Sequence, residues 1–303
     1  MAILRFHPAR LFTRAVDGAF GMVELPALLM RPGLYAQAGC LRLRQAMGER
    51  MFVFDNGILV AVDSTEAGET LAAALTRLTH RNDPRVDNAV HAVRRRSLRL
   101  AEGLAGALGD KALAERALCA QAARIIEGVI AGGPAMAWFV RGARVRAHVD
   151  LQAFDAVWRA VLALWPEVDR FALGRHVQAT GWRAVDTAEP TMRAAGAPKS
   201  LVALAQARTA PAEHDLAQLG ALVLCGLVQS QAGPFTLEAV GVSEARRRGE
   251  SSRVARPARA PRRGSLLALL AAAVIMIIAA LAVGRRLLSP WWPQEAPATR
   301  EAD

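Results

Sequence analysis

Lysine is almost missing from this chain of 303 residues: 36 of its 38 basic residues are arginine, leaving only Lys111 and Lys199. With abundant alanine, that bias reads as a GC-rich bacterial genome rather than as a nucleic-acid surface. Tyrosine occurs once, and the three cysteines, Cys40, Cys119 and Cys225, lie far apart in apolar contexts without a CxxC pair. This excludes a disulfide framework or a thiolate metal site and predicts reduced packing residues. The six histidines never pair at helical spacing or with a nearby cysteine, so no metal is expected. Gly-x-x-x-x-Gly-Lys-Ser/Thr, Gly-x-Gly-x-x-Gly, Gly-x-Ser-x-Gly and His-Glu-x-x-His are all absent. Residues 106–111, GALGDK, only imitate a phosphate loop. No catalytic residue and no cofactor is therefore expected, and the chain reads as a non-enzyme. Residues 1–20 contain no uncharged core, so no signal peptide is expected either. Charged residues are 21% and hydrophobic residues 53%, which excludes a disordered chain.

What is present begins with one long apolar run. Leu266 to Val283 is uncharged throughout, and residues 264–284 form a 21-residue stretch. As a helix it is about 31 Å long at roughly 1.5 Å per residue, which matches a bilayer's hydrocarbon core. Residues 246–263 carry eight arginines against Glu250, for a local +7 of the total +11, and the acids and arginines of residues 285–303 cancel. The positive-inside rule then predicts a single-pass protein of the bacterial cytoplasmic membrane. Residues 1–263 face the cytoplasm and 285–303 form a short outer tail. Arg262, Arg263, Arg285 and Arg286 flank the span, and Trp291 and Trp292 sit at the outer interface. The Pro/Ser/Arg linker, residues 241–263, reads as disordered. Against the anionic inner leaflet it gains on the order of 1 kcal/mol per arginine, so lipid is its expected partner and nucleic acid is not. Ala268 and Ala272 form a weak pairing pattern that leaves homo-oligomerisation open.

The clearest local signal lies in residues 39–62. Leu41 and Leu43 alternate with Arg42 and Arg44, Met51 to Phe54 read as a second strand, and Asp55-Asn56-Gly57 supplies the positive φ of a tight turn before Ile58 to Val62. A three-stranded antiparallel meander is predicted. Upstream, Val23, Leu25, Leu28 and Leu29 form a helix that Pro32-Gly33 should stop. Downstream, Ser64 or Thr65 should cap a helix bearing Leu71, Ala74, Leu75 and Leu78. Residues 84–131 take helical period, broken near Gly103 to Gly109. Residues 135–146 return to extended character, and Leu151 to Leu164 form an apolar helix stopped by Pro166. Asp55, Asp63 and Glu66 lie near the hairpin as candidate pocket acids, with Asp55 better explained by the turn.

The succession GCLRL, MFVFDNGILVAV, a helix around GETLAAAL, a helical stretch ending LCAQAARIIEGVI and a resumption at MAWFVRGARVRAHVDLQAFDAVW resembles the PATAN (PatA N-terminal) domain of bacterial signalling proteins. The likeness spans residues 15–165. It implies an α/β domain with a helical insertion, no enzymatic activity or cofactor, and action through contact with a protein partner not identified by the sequence. Members usually read Gly-x-Phe-x-Phe in the strand before the last helix, where this chain has Met136-Ala137-Trp138-Phe139-Val140.

Residues 166–240 read as a second, mostly helical unit. Pro198 to Leu201 opens one helix, Ala212 to Asp215 opens another, and a short strand follows at Phe235 to Val240, a winged-helix-like succession. The second helix offers Asp215, Gln218 and Gln229 but no cation for phosphate, so a packing or partner-binding unit is favoured. Pro234 to Gly241 also resembles the opening of a J-domain, but the His-Pro-Asp such a domain needs is missing. The whole chain is thus read as α+β: a PATAN-like domain, 1–165, with its insertion at 84–131, then the helical unit 166–240, the linker 241–263, the span 264–284 and the tail 285–303. The expected function is that of a membrane-tethered, non-enzymatic signalling adaptor. The alternative is a membrane-anchored transcriptional regulator binding DNA through residues 190–240.

Overall fold

Alternation and helical period sort the chain into a sheet with helices packed on one of its faces. The structure is a computed structural model and describes residues 5–6, 17–79, 100–142, 149–207, 211–233, 235–236, 240 and 242. Residues 1–244 cluster into one compact unit and 245–303 into another. The linker from 243, the span 264–284 with Arg262, Arg263, Arg285, Arg286, Trp291 and Trp292, and the tail lie outside the described residues, as do residues 84–99 of the expected insertion. Among the described residues no helix is long and apolar enough to cross a membrane.

The first unit is α+β. Its main sheet has five antiparallel strands in the order β2-β6-β3-β4-β5, where β2 is Asp17–Phe20, β3 Gly39–Gln45, β4 Gly48–Asp55, β5 Ile58–Ser64 and β6 Ala135–Arg141. The meander β3-β4-β5 lies where the alternation puts it, and β6 pairs back on β3. Leu41, Leu43, Phe52, Phe54, Leu59, Ala135 and Ala137 form the buried face. Between Val53 and Phe54 the register slips, so Phe54 stands opposite Leu59 and Val60 becomes the extra residue of a bulge. Leu59 and Val62, three apart, are then both buried.

Helix α1, Leu25–Leu34, is buried at every position but Gly33. Pro32 lies inside its last turn instead of ending it. The ring removes one helical hydrogen bond, and Tyr35 N–H to Arg31 O (3.1 Å) with Gln37 N–H to Pro32 O (2.9 Å) closes the chain beyond it. Helix α2, Leu71–Thr79, is capped by Thr70, whose Oγ1 accepts from Ala73 N–H at 3.2 Å, and not by Ser64 or Thr65. A 3-10 turn, Ala67–Glu69, separates those two residues from the helix. In the insertion, α3 (Leu100–Leu108) and α4 (Lys111–Ala131) meet at Gly109, and Asp110 Oδ1 caps α4 by accepting Leu113 N–H at 2.9 Å. Helix α4 packs on α2, α3 and β5, and α5, Ala153–Leu164, packs on α4 and α1.

Residues 166 onward add α6 (Glu167–Thr180), β7 (Trp182–Ala184), α7 (Ala188–Ala194), α8 (Lys199–Gln206), a 3-10 turn at Glu213–Asp215, α9 (Leu216–Leu224), β8 (Val228–Ser230) and β9 (Phe235–Thr236). Strand β7 pairs with β8, and β9 pairs with β1 (Arg5–Phe6). Helix α9 leaves only Gln218 exposed. It crosses α6 where Gly174 and Gly220 face backbone, since a Cβ at either would collide with Leu216 O or Arg170 O. One apolar core runs from Val23 to Val242 without a break at residue 165.

Candidate interaction site at the hairpin tip

The β4–β5 turn is built from Asn56 at φ +48° and Gly57 at φ +81°, with Asp55 paired to Ile58. Two consecutive positive φ values make the two-residue turn whose twist suits a hairpin. The tip is fastened to the end of α1: Gly57 N–H donates to Gln37 O at 2.9 Å, and a Cβ on Gly57 would lie 3.0 Å from the carbonyls of both Pro32 and Gly33. Glycine is needed here for conformation and for space alike.

Opposite the tip, the chain enters α5 under constraint. Leu151 N–H bonds Leu59 O (2.9 Å), extending the β5 edge, and Gln152 then adopts a left-handed conformation, φ +53°. Asp150 Oδ1 holds that turn by accepting Gln152 N–H at 2.8 Å. A non-glycine residue there costs of order 1–3 kcal/mol, and such strain collects at functional sites. No side chain caps α5. Asp155 in its first turn instead binds Arg159 through two contacts, 3.0 Å to Nε and 2.9 Å to Nη2.

Helix α7 supplies the remaining wall, and together these elements enclose a half-open cavity of about 770 Å³. Leu29, Leu34, Phe54, Leu59 and Phe154 form an apolar floor. At its mouth stands Ile58, 45% exposed. Asp150, Gln152, Asp155 and Thr191 add polar groups. Thr187 Oγ1, also in the lining, is enclosed yet has no hydrogen-bond partner among the described residues. The Tyr35 phenol is pushed up chiefly by burial and further by Asp186, against the opposing charge of Arg31.

The other end of the same hairpin is closed. Glu69 accepts from Arg50 Nε and Nη2, both at 2.8 Å, and from Ser64 Oγ at 2.5 Å. Arg50 Nη1 donates to Gln45 Oε1 at 2.7 Å, and Gln45 Nε2 donates to Val129 O and Gly133 O at the end of α4. Gln121 Nε2 of α4 reaches Glu69 O at 3.2 Å. Arg50, Glu69, Gln45 and Gln121 are buried and, with the half-buried Ser64, mutually satisfied, so they fasten the insertion to the sheet.

Of the residues singled out in the sequence, Asn56 and Gly57 line the cavity and Asp55 begins the turn, while Asp63 and Glu66 fall outside the lining. Sequence reasoning missed Asp150, Gln152, Thr187 and the whole of α7. Thr187 followed by Pro190 was a helix-start signal for α7; a left-handed glutamine has none. Among the described residues no three His, Cys, Asp or Glu side chains gather as metal ligands. The Cys225 thiol is fully buried, which pushes its pKa above the usual thiol range. Compared with known protein families, with curated proteins and with solved structures, the chain matches none of them.

Proposed function

We propose that this chain is a non-enzymatic adaptor of bacterial signal transduction, acting by protein contact and held at the inner face of the cytoplasmic membrane through residues 264–284. The observation that carries the reading is the outward face of the five-stranded sheet. Strand register puts Met136, Trp138 and Val140 there beside Arg42 and Arg44. Met136 is 51% and Val140 50% exposed, and the Arg44 guanidinium lies 5.7 Å from the centroid of the half-buried Trp138 ring. An aromatic, a methionine and arginines on one exposed surface are the residue types enriched in protein interfaces. The likeness of residues 15–165 to the PATAN domain supports the same reading, and the 21-residue apolar run with its basic flank supports the tether. Contact with protein is favoured over contact with DNA because α9, the helix that would have to enter a groove, is buried at every position but Gln218.

Two experiments test this. A photoreactive benzoylphenylalanine at Val140, irradiated in cells, should yield one predominant protein adduct that Met136→Glu abolishes; no adduct, or adducts unaffected by that change, would reject the adaptor. Alkaline phosphatase fused to the C-terminus should be active and fused to the N-terminus inactive, and the opposite pattern would reverse the topology.

A further inference from the structure

The cavity at the hairpin tip has what a prepared binding pocket needs. Its volume of about 770 Å³ is within the range of about 300–1,000 Å³ typical of ligand pockets. Its walls are fixed before anything binds: Gly57 is bonded and packed against the end of α1, and Gln152 is held left-handed by Asp150. Preorganisation of this kind lowers the cost of binding.

Two features define the occupant. The apolar floor continues outward onto Ile58, which lines the cavity and is 45% exposed, so the apolar surface does not end at the mouth. A pocket for a free small molecule buries its ligand behind a polar rim; one whose apolar lining spills onto the surface suits a side chain projecting from a larger body. Among the described residues of the lining the acids outnumber the bases: Asp155 is answered by Arg159, whereas Asp150 forms no ion pair with another described residue. The uncapped start of α5 would by itself attract an anion, but Asp150 and Asp155 already stand there.

We infer that this cavity is the specificity pocket for a protein partner, taking a large aliphatic or aromatic side chain that has an arginine or lysine close by in the partner's sequence. The inference rests on the adaptor reading and names the chemistry its partner must present.

The test is selection of a random dodecapeptide phage library on the full-length chain in zwitterionic lipid nanodiscs, followed by fluorescence polarisation of the enriched peptides. Ala194 lines the cavity from an exposed position of α7, so Ala194→Trp fills it while leaving the core alone; an unchanged melting curve verifies this. Enriched peptides should pair Leu, Phe or Trp with a neighbouring Arg or Lys. They should weaken at least about tenfold on Ala194→Trp and several-fold on Asp150→Asn. Peptides without a basic bias, equal binding to Ala194→Trp, or full displacement by phenethylamine would overturn the proposal. The Val140 cross-link separates the two readings: if it persists while the peptides fail, only the pocket assignment falls, and if it too is absent, the adaptor falls with it.

Discussion

The two ends of the β4–β5 hairpin solve the problem of polar groups near a core in opposite ways. At the base, Arg50, Glu69, Gln45, Ser64 and Gln121 satisfy one another and α4 seals them. At the tip, the enclosed Thr187 hydroxyl has no partner among the described residues, a glutamine is held left-handed, and a cavity stays half open. A closed network contributes to folding and to uniqueness of packing, and it has no capacity left for a ligand. Unsatisfied groups and local strain destabilise the free protein slightly and leave capacity for a partner.

The largest test breaks the closed end. Glu69→Ala strands the Arg50 charge in a site where its side chain is 4% exposed, and should destabilise by about 3–5 kcal/mol in urea unfolding at neutral pH. An Arg50→Leu, Glu69→Leu double variant should recover most of that loss, because removing both charges leaves neither unpaired. A loss below about 1 kcal/mol for Glu69→Ala, within the range of exposed pairs, would remove the contrast.

Smaller effects belong to the open end. Gly57→Val places a β-branched side chain at positive φ against two carbonyls and should cost about 2–3 kcal/mol, detaching the tip from α1. Gln152→Gly should act in the other direction, raising stability by up to about 1 kcal/mol as the left-handed strain is relieved, read as a higher midpoint in the same denaturation. Thr187→Val should be the smallest, within about 0.5 kcal/mol of zero or slightly stabilising, since it removes a buried hydroxyl that bonds to nothing. A large loss there would mean that the hydroxyl already serves the free protein and that the tip is as closed as the base.

The same contrast governs what could be read from the sequence. Alternation at Leu41 and Leu43 and the Asn56-Gly57 pair are local signals, and they led directly to the meander and its turn. The glycines from Gly103 to Gly109 likewise marked a break inside the insertion, which falls at Gly109. Partners distant in the chain left no trace. Alternation puts Arg50 on the buried face with Phe52 and Phe54, but nothing local says that Glu69 and Gln45 answer its charge there. Helix α6 escaped notice because it buries Leu173, Gly174 and Val177 rather than a broad apolar stripe, and its contact with α9 rests on two glycines. Strands β7 and β8, three residues each, are too short for alternation to register. Half of the cavity was thus legible at Asn56 and Gly57, and the half contributed by α7 and Gln152 was not.

The single hydrogen bond from Leu151 N–H to Leu59 O has a consequence for biosynthesis. It occupies the outer edge of β5 with a residue made about ninety positions later, and β6, which covers the inner edge of β3, also follows the whole insertion. At about 5–20 residues per second, the meander emerges from the ribosome with both edges bare for roughly 5–20 seconds. During that interval the nascent chain exposes Phe52 and Phe54 on an unpaired ribbon, and it is more open to edge-to-edge aggregation than the finished protein is.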